Sequence, residues 1–188
     1  QAARQLEAAG ATLVPLAPVL TREMLDGLDR FWQARQWSEL LKLTAQEREQ
    51  VLPAIQAWAD AGSRLSGVEV VQGFQQTLAM RRATEAVFDE VDAVISPTTP
   101  NIAFPAQWPS PTNDPRQPFE HIVYNVPWNM GEQPAISLNA GFSGSSMPIG
   151  VQLIGPRFAD HFVLKLAQRL EACLAMPMRW PTLPSASH

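Results

Sequence analysis

"PWNMGEQPAISLNAGFSGSSMPIGVQLIGP", residues Pro127 to Pro156, decides how this chain is read. Two apolar runs, "AISLNAG" and "PIGVQLIG", flank the Gly/Ser segment "FSGSSM", a pattern that predicts two strands joined as a β-hairpin. Asp160 is the expected cap of a closing helix, in which Val163, Leu166, Ala167, Leu170 and Leu174 recur along one face. Upstream, Val91, Ala93, Val94 and Ile95 form a short continuous apolar run with Asp92 inside it, followed by "SPTTP". Such runs mark strands covered on both faces, and strands at 92–96, 134–139 and 149–154 predict a sheet covered on two sides.

The segments before this sheet are mostly helical. Residues 2–9 predict a helix stopped by Gly10, and "ATLVPL" after it predicts a short buried strand. From Thr21 to Val91 the pattern is helical, with Thr21 as one N-cap and capping boxes at Thr44/Glu47 and Ser66/Glu69. Gly62 closes the helix between the two boxes. Trp32, Trp37 and Trp58 lie in this stretch at helical spacing, which suits core packing better than a ligand groove. Residues 96–118 hold seven of the 17 prolines (97, 100, 105, 109, 111, 115 and 118) and predict a long ordered loop or lid. A polar, proline-containing tail starts near Met176.

Composition narrows the function classes. Of 188 residues, 46% are apolar and only 17% charged, against about a quarter in ordinary globular domains, so part of the surface is expected to be covered. The net charge of −4 and the lack of a basic cluster argue against nucleic acid or an anionic membrane as partner. A single cysteine, Cys173, excludes an internal disulfide, and its apolar helical setting predicts a buried thiol. Three scattered histidines show no metal-ligand spacing, so neither metal nor cofactor is expected. No apolar run is long enough to span a bilayer.

Candidate chemistry is sparse. A serine nucleophile in the Gly144–Ser145–Ser146 turn would need a base and oxyanion donors within reach. No acid, base or cation lies between Glu132 and Arg157, and a solvated turn accounts for the segment. A lysine base must be held neutral by burial or a neighbouring cation, whereas Lys42 and Lys165 sit on amphipathic helices where a solvated ammonium is expected. Loops that enter or leave strands remain, at Pro97–Thr98–Thr99–Pro100 and at Asn129 and Gly131.

At "VDAVISPTTP", "NMGEQPAISLNAGF" and "MPIGVQLIGPRFADHFVLKLAQRLE", in that order, the chain resembles the amidase signature family. "QLEAAGATLVPL" is similar to the family's helix–Gly-Ala–strand unit, and Arg22 to about Ser66 is the least similar stretch. The resemblance implies an α/β fold: the C-terminal part of the amidase-signature fold, a mixed β-sheet covered by helices on both faces. Residues 1–188 would be part of a single domain, with a helical insert at about 21–91 and sheet strands plus last helix at about 92–175. The family hydrolyses amides with a Ser–cis-Ser–Lys triad in a Gly/Ser-rich segment, expected upstream of Gln1. No catalytic residue is therefore expected here, and this chain alone is expected to be inactive.

The same resemblance implies that Thr98, Thr99, Trp128 and Asn129 line the acyl side of a substrate pocket. The implied function is hydrolysis of carbon–nitrogen bonds other than peptide bonds in small linear amides. Its implied partners are the N-terminal half of the same protein or a second copy of the chain, with a cytoplasmic location. One alternative is a non-catalytic subunit used for binding or structure. The other is a protein like the A subunit of the glutamine-using amidotransferases. In the latter, an arginine that meets the substrate carboxylate would fall near Thr77, with Arg81 and Arg82 about a turn late, which favours a general amidase.

Overall fold

The computed structural model describes residues 1–177. Its elements run α1 (Ala2–Ala8), α2 (Arg22–Leu40), α3 (Ala45–Arg48), α4 (Pro53–Gly62), α5 (Gly67–Val87), β1 (Val94–Pro97), α6 (Val126–Gly131), β2 (Ala135–Phe142), β3 (Pro148–Ile154) and α7 (Asp160–Leu174). The fold is α/β, with helices around a small antiparallel sheet.

Helix starts follow from local chemistry. The Thr21 hydroxyl accepts the Met24 N–H at 3.2 Å, and both predicted capping boxes form. In each box the hydroxyl accepts one free backbone N–H while the glutamate accepts another, which removes two unsatisfied donors at once. Those bonds hold the Glu47 and Glu69 carboxyls below the ordinary glutamate range, backbone donation contributing most. Asp160 is instead the first residue of α7; Ala159 occupies the cap position and makes no side-chain bond. The acid still stands in the first turn, where it complements the helix dipole.

Helices α2, α4 and α5 enclose a core around Leu25, Leu28 and Met80, closed by Phe119 and Val126 from the chain beyond β1. Trp32 and Trp58 meet Phe119 edge-on at 5.2 and 5.9 Å, as core aromatics do. Trp37 stands apart, under the Arg48 guanidinium at 5.8 Å. Cys173 is a free thiol, half-buried rather than enclosed.

The sheet has the order β1-β3-β2, with both pairings antiparallel. The expected mixed sheet therefore has no parallel neighbours among the described residues, because β2 and β3 pair directly through the turn at Ser143–Met147. One face is apolar: Ile95, Ile136, Leu138, Val151 and Leu153 pack with Ala2 and Leu6 of α1 and Ala167 and Leu170 of α7. The other face is apolar at one end, where Val94 and Ile154 pack with Val87 and Trp128, and polar beyond it. Ser96 and Ser137 both stand opposite Gln152, and Asn139 stands opposite Gly150, so a polar row crosses the sheet. Alternation explains it: in "AISLNAG" the small polar residues fall at every second position.

Residues 11–20, including "ATLVPL", form no strand. The segment has no regular secondary structure and is largely bare, with Val14 57% and Leu16 43% exposed. A strand exists only by pairing, and the segment forms no ladder with β1 or any other described strand. Val19 and Leu20 alone anchor its end, each against a separate core cluster.

Candidate functional site

The long loop predicted from the prolines runs from Thr98 to Asn125 and contains no regular helix or strand. It leaves the sheet at β1 and returns into α6, so its base lies over the polar sheet face. Thr98 prolongs the β1–β3 ladder, donating its N–H to Gly150 O at 3.1 Å. Its hydroxyl crosses β3 to the Ser137 hydroxyl on β2, 3.1 Å away. Glycine is required beneath: a Cβ on Gly150 would stand 2.7 Å from Thr98 Oγ1. Thr99 turns outward and donates to Asn101 O at 3.0 Å.

Trp128 and Asn129 sit on α6. Trp128 is only 6% exposed and packs with Val87, Val94 and Ile154, its ring 6.2 Å from that of Phe88. It is thus a core residue as well as a wall residue. Beside it, between β1 and the bare 12–20 segment, opens a cavity of about 530 Å³ lined by Val14, Leu16, Val94, Ser96, Tyr124 and Trp128 among others. Thr98, Thr99 and Asn129 do not line it. Asn129 is exposed, with its backbone bonded inside α6 and its turn. Of the four expected site residues, then, Trp128 faces the cavity, Thr98 joins the polar sheet face, and Thr99 and Asn129 flank them at the surface. Gly131 is buried behind Asn129, where a Cβ would collide with Thr84 and Gln133.

Sequence reasoning passed over Gln152. It is 4% exposed in an otherwise apolar strand, and that isolated polar residue was the available signal. A second cavity of about 220 Å³, between α4 and the loop, is lined by Trp58, Ser110, Asp114, Phe119 and His121 among others. Burial holds the His121 imidazole below its ordinary range. These groups do not form a catalytic chain: Asp114 is bound to Arg116 at 2.8 Å, Ser110 lies 3.4 Å from Thr112, and His121 Nδ1 has no partner.

Nor does the hairpin turn supply a nucleophile. Ser145 lies 2.9 Å from the Ser143 hydroxyl in an exposed loop, and Lys42 is paired with Glu39 at 2.7 Å. No group of three His, Cys, Asp or Glu side chains among the described residues could hold a metal ion. No helix among them is long and apolar enough to cross a membrane. Of the arginine positions considered for a substrate carboxylate, Thr77 is buried with its hydroxyl donating to Phe74 O. Arg81 is engaged by Glu85 and Glu132, each at 3.3 Å, and Arg157 joins the same two carboxylates.

The family model described as Amidase matches residues 1–164. The A subunit of a glutamyl-tRNA(Gln) amidotransferase from Halothermothrix orenii is 39% identical over 99 residues, 53% of this chain and 20% of that relative. Among solved structures, a 6-aminohexanoate cyclic dimer hydrolase complexed with substrate superposes with TM-score 0.77 at 21% identity, over 93% of this chain and 40% of the other. The corresponding A subunit of the Thermotoga maritima glutamyl-tRNA(Gln) amidotransferase gives TM-score 0.63 at 23% identity, over 90% and 36%. These structural likenesses show the fold, and the chain spans well under half the length of each relative. With the family model matching most of its residues, the chain belongs to the Amidase family.

Proposed function

We propose that this chain forms the acyl-side wall of an amide hydrolase acting on carbon–nitrogen bonds other than peptide bonds, with nucleophile and base supplied by residues outside these 188. The observation that carries the reading is the polar sheet face of Ser96, Thr98, Ser137 and Gln152 beside Trp128, in a chain where no described serine is bonded to histidine or lysine. Such a face can orient a small amide by hydrogen bonds while the apolar cavity beside it takes the acyl group. The partner in this reading is the rest of the same protein, which would cover residues 12–20 and the free edge of β1; a second copy is the other candidate. A cytoplasmic location goes with the proposal.

The test is a panel of linear aliphatic and aryl amides offered to the protein of natural length and to residues 1–188. Turnover by the longer protein alone supports the reading, and turnover by neither sinks it. A second reading, part of a glutamine-using amidotransferase, is favoured by the 39% identity to the relative from Halothermothrix orenii. Against it stands the engagement of Arg81 by two carboxylates, which leaves that guanidinium without a free edge for a substrate carboxylate. Ammonia release from glutamine by the natural-length protein, exceeding that from neutral amides, would reverse the preference.

A further inference from the structure

We propose that Gln152 is a positioning residue that clasps both ends of the long loop and so sets the acyl-side wall. Burying an amide in a strand flanked by Val151 and Leu153 is unfavourable unless its hydrogens are bonded, and an aliphatic side chain would fill the same place. Here the two N–H groups of Nε2 serve three acceptors, one to Tyr124 O at 2.7 Å and the other shared by Ser96 Oγ at 2.9 Å and Pro97 O at 3.3 Å. Ser96 and Pro97 are the last residues of β1, directly before Thr98 and Thr99. Tyr124 is where the loop comes back, just ahead of α6 with Trp128 and Asn129. One side chain on the central strand thus ties the outgoing and returning arms to the same point of the sheet. Thr98 and Trp128 belong to different elements, and their spacing is held from this point.

The inference rests on the pocket reading given above, but its test does not depend on activity. In the natural-length protein, Gln152→Met keeps length and apolar volume and removes both donors. Amide hydrogen exchange should quicken about 10-fold or more at Thr98 and Val126, bonded backbone donors just beyond the two arms, and change less than about 2-fold at Leu138 and Val151 in the hairpin. If Gln152→Met does not fold, Ser96→Ala carries the test. It removes one acceptor only, so exchange should quicken at Thr98 and not at Val126. A core residue with no clasping role would instead speed exchange evenly through the hairpin and α7, or at neither arm, and either result overturns the proposal. With an active enzyme, Gln152→Met should also change the ratio of kcat/KM between a small and a bulky acyl amide by about 10-fold, more through KM than kcat. An equal loss on both amides would contradict positioning of the wall. Selective exchange in a protein that hydrolyses no amide would uphold the clasp and reject the hydrolase reading.

Discussion

The helical half and the sheet half of this molecule meet their surroundings differently. Around Leu28 and Met80, both 0% exposed, α2, α4 and α5 close on one another, and the loop lays Phe119 over the remaining gap. The sheet half is covered unevenly: α1 and α7 cover one face, whereas Trp128 and Val87 cover only the Val94–Ile154 end of the other. Its strands β1 and β2 each leave an edge unpaired among the described residues, and the apolar segment 12–20 runs past β1 without forming a ladder. In the reading proposed above, further strands of the same protein would pair with these edges. That agrees with the 40% of the superposed cyclic dimer hydrolase that it covers.

Trp128 is where the halves meet, since it touches Val87 from α5 as well as Val94 and Ile154 from the sheet. Trp128→Ala should therefore give the largest loss, about 3–5 kcal/mol of stability by urea denaturation, in keeping with large-to-small changes in buried sites. A loss under about 1 kcal/mol would mean that the two halves are not joined there. Leu16→Asp sharpens the contrast further. In residues 1–188 the site is exposed and the change should be nearly neutral; in the natural-length protein it should cost about 2–3 kcal/mol if other chain covers the segment. Equal effects in both would show that the segment is bare in the whole protein as well.

How much of this was legible in the sequence follows the range of the interactions. The capping boxes at Thr44/Glu47 and Ser66/Glu69 are made within one turn, so local spacing suffices to find them. The hairpin is nearly as local, because its turn lies between its own strands. "ATLVPL" failed as a strand because strand identity depends on a neighbour, and composition cannot supply one. The polar sheet face was missed by reading "AISLNAG" as an apolar run instead of an alternation. Gln152 and the Arg81–Glu85–Glu132–Arg157 cluster escaped because their partners come from segments far away in sequence. Of the four expected site residues, Thr98 and Trp128 owe their placement to just such distant contacts.

Smaller effects probe the closed half. Ser66→Ala should cost about 1 kcal/mol and act on α5 alone, as loss of an N-cap does. The same box gives a pH signature. Glu69 lies below its ordinary pKa in the fold, so its contribution is complete above the unfolded value near 4.5 and is lost as pH falls through the folded value. Ser66→Ala should flatten that acid limb, and an unchanged limb would detach the carboxyl from the cap. Asp29 has the opposite sign. Burial raises its carboxyl despite the Trp58 indole N–H at 2.7 Å, so stability falls as pH rises from about 3.8 through the folded value. Asp29→Asn keeps an acceptor for Trp58 and should leave stability at pH 7 unchanged or raised by less than about 1 kcal/mol, measured by thermal melting. A clear loss would show that the charge itself supports the helical core.

In the reading proposed here, these residues build a wall of the site and not its nucleophile. Labelling the natural-length protein with a serine-directed fluorophosphonate, followed by peptide mapping, tests this most directly. One modified serine is expected outside residues 1–188, with no label on the isolated chain. Stoichiometric modification of Ser145, Ser146 or any other serine within these residues would contradict it.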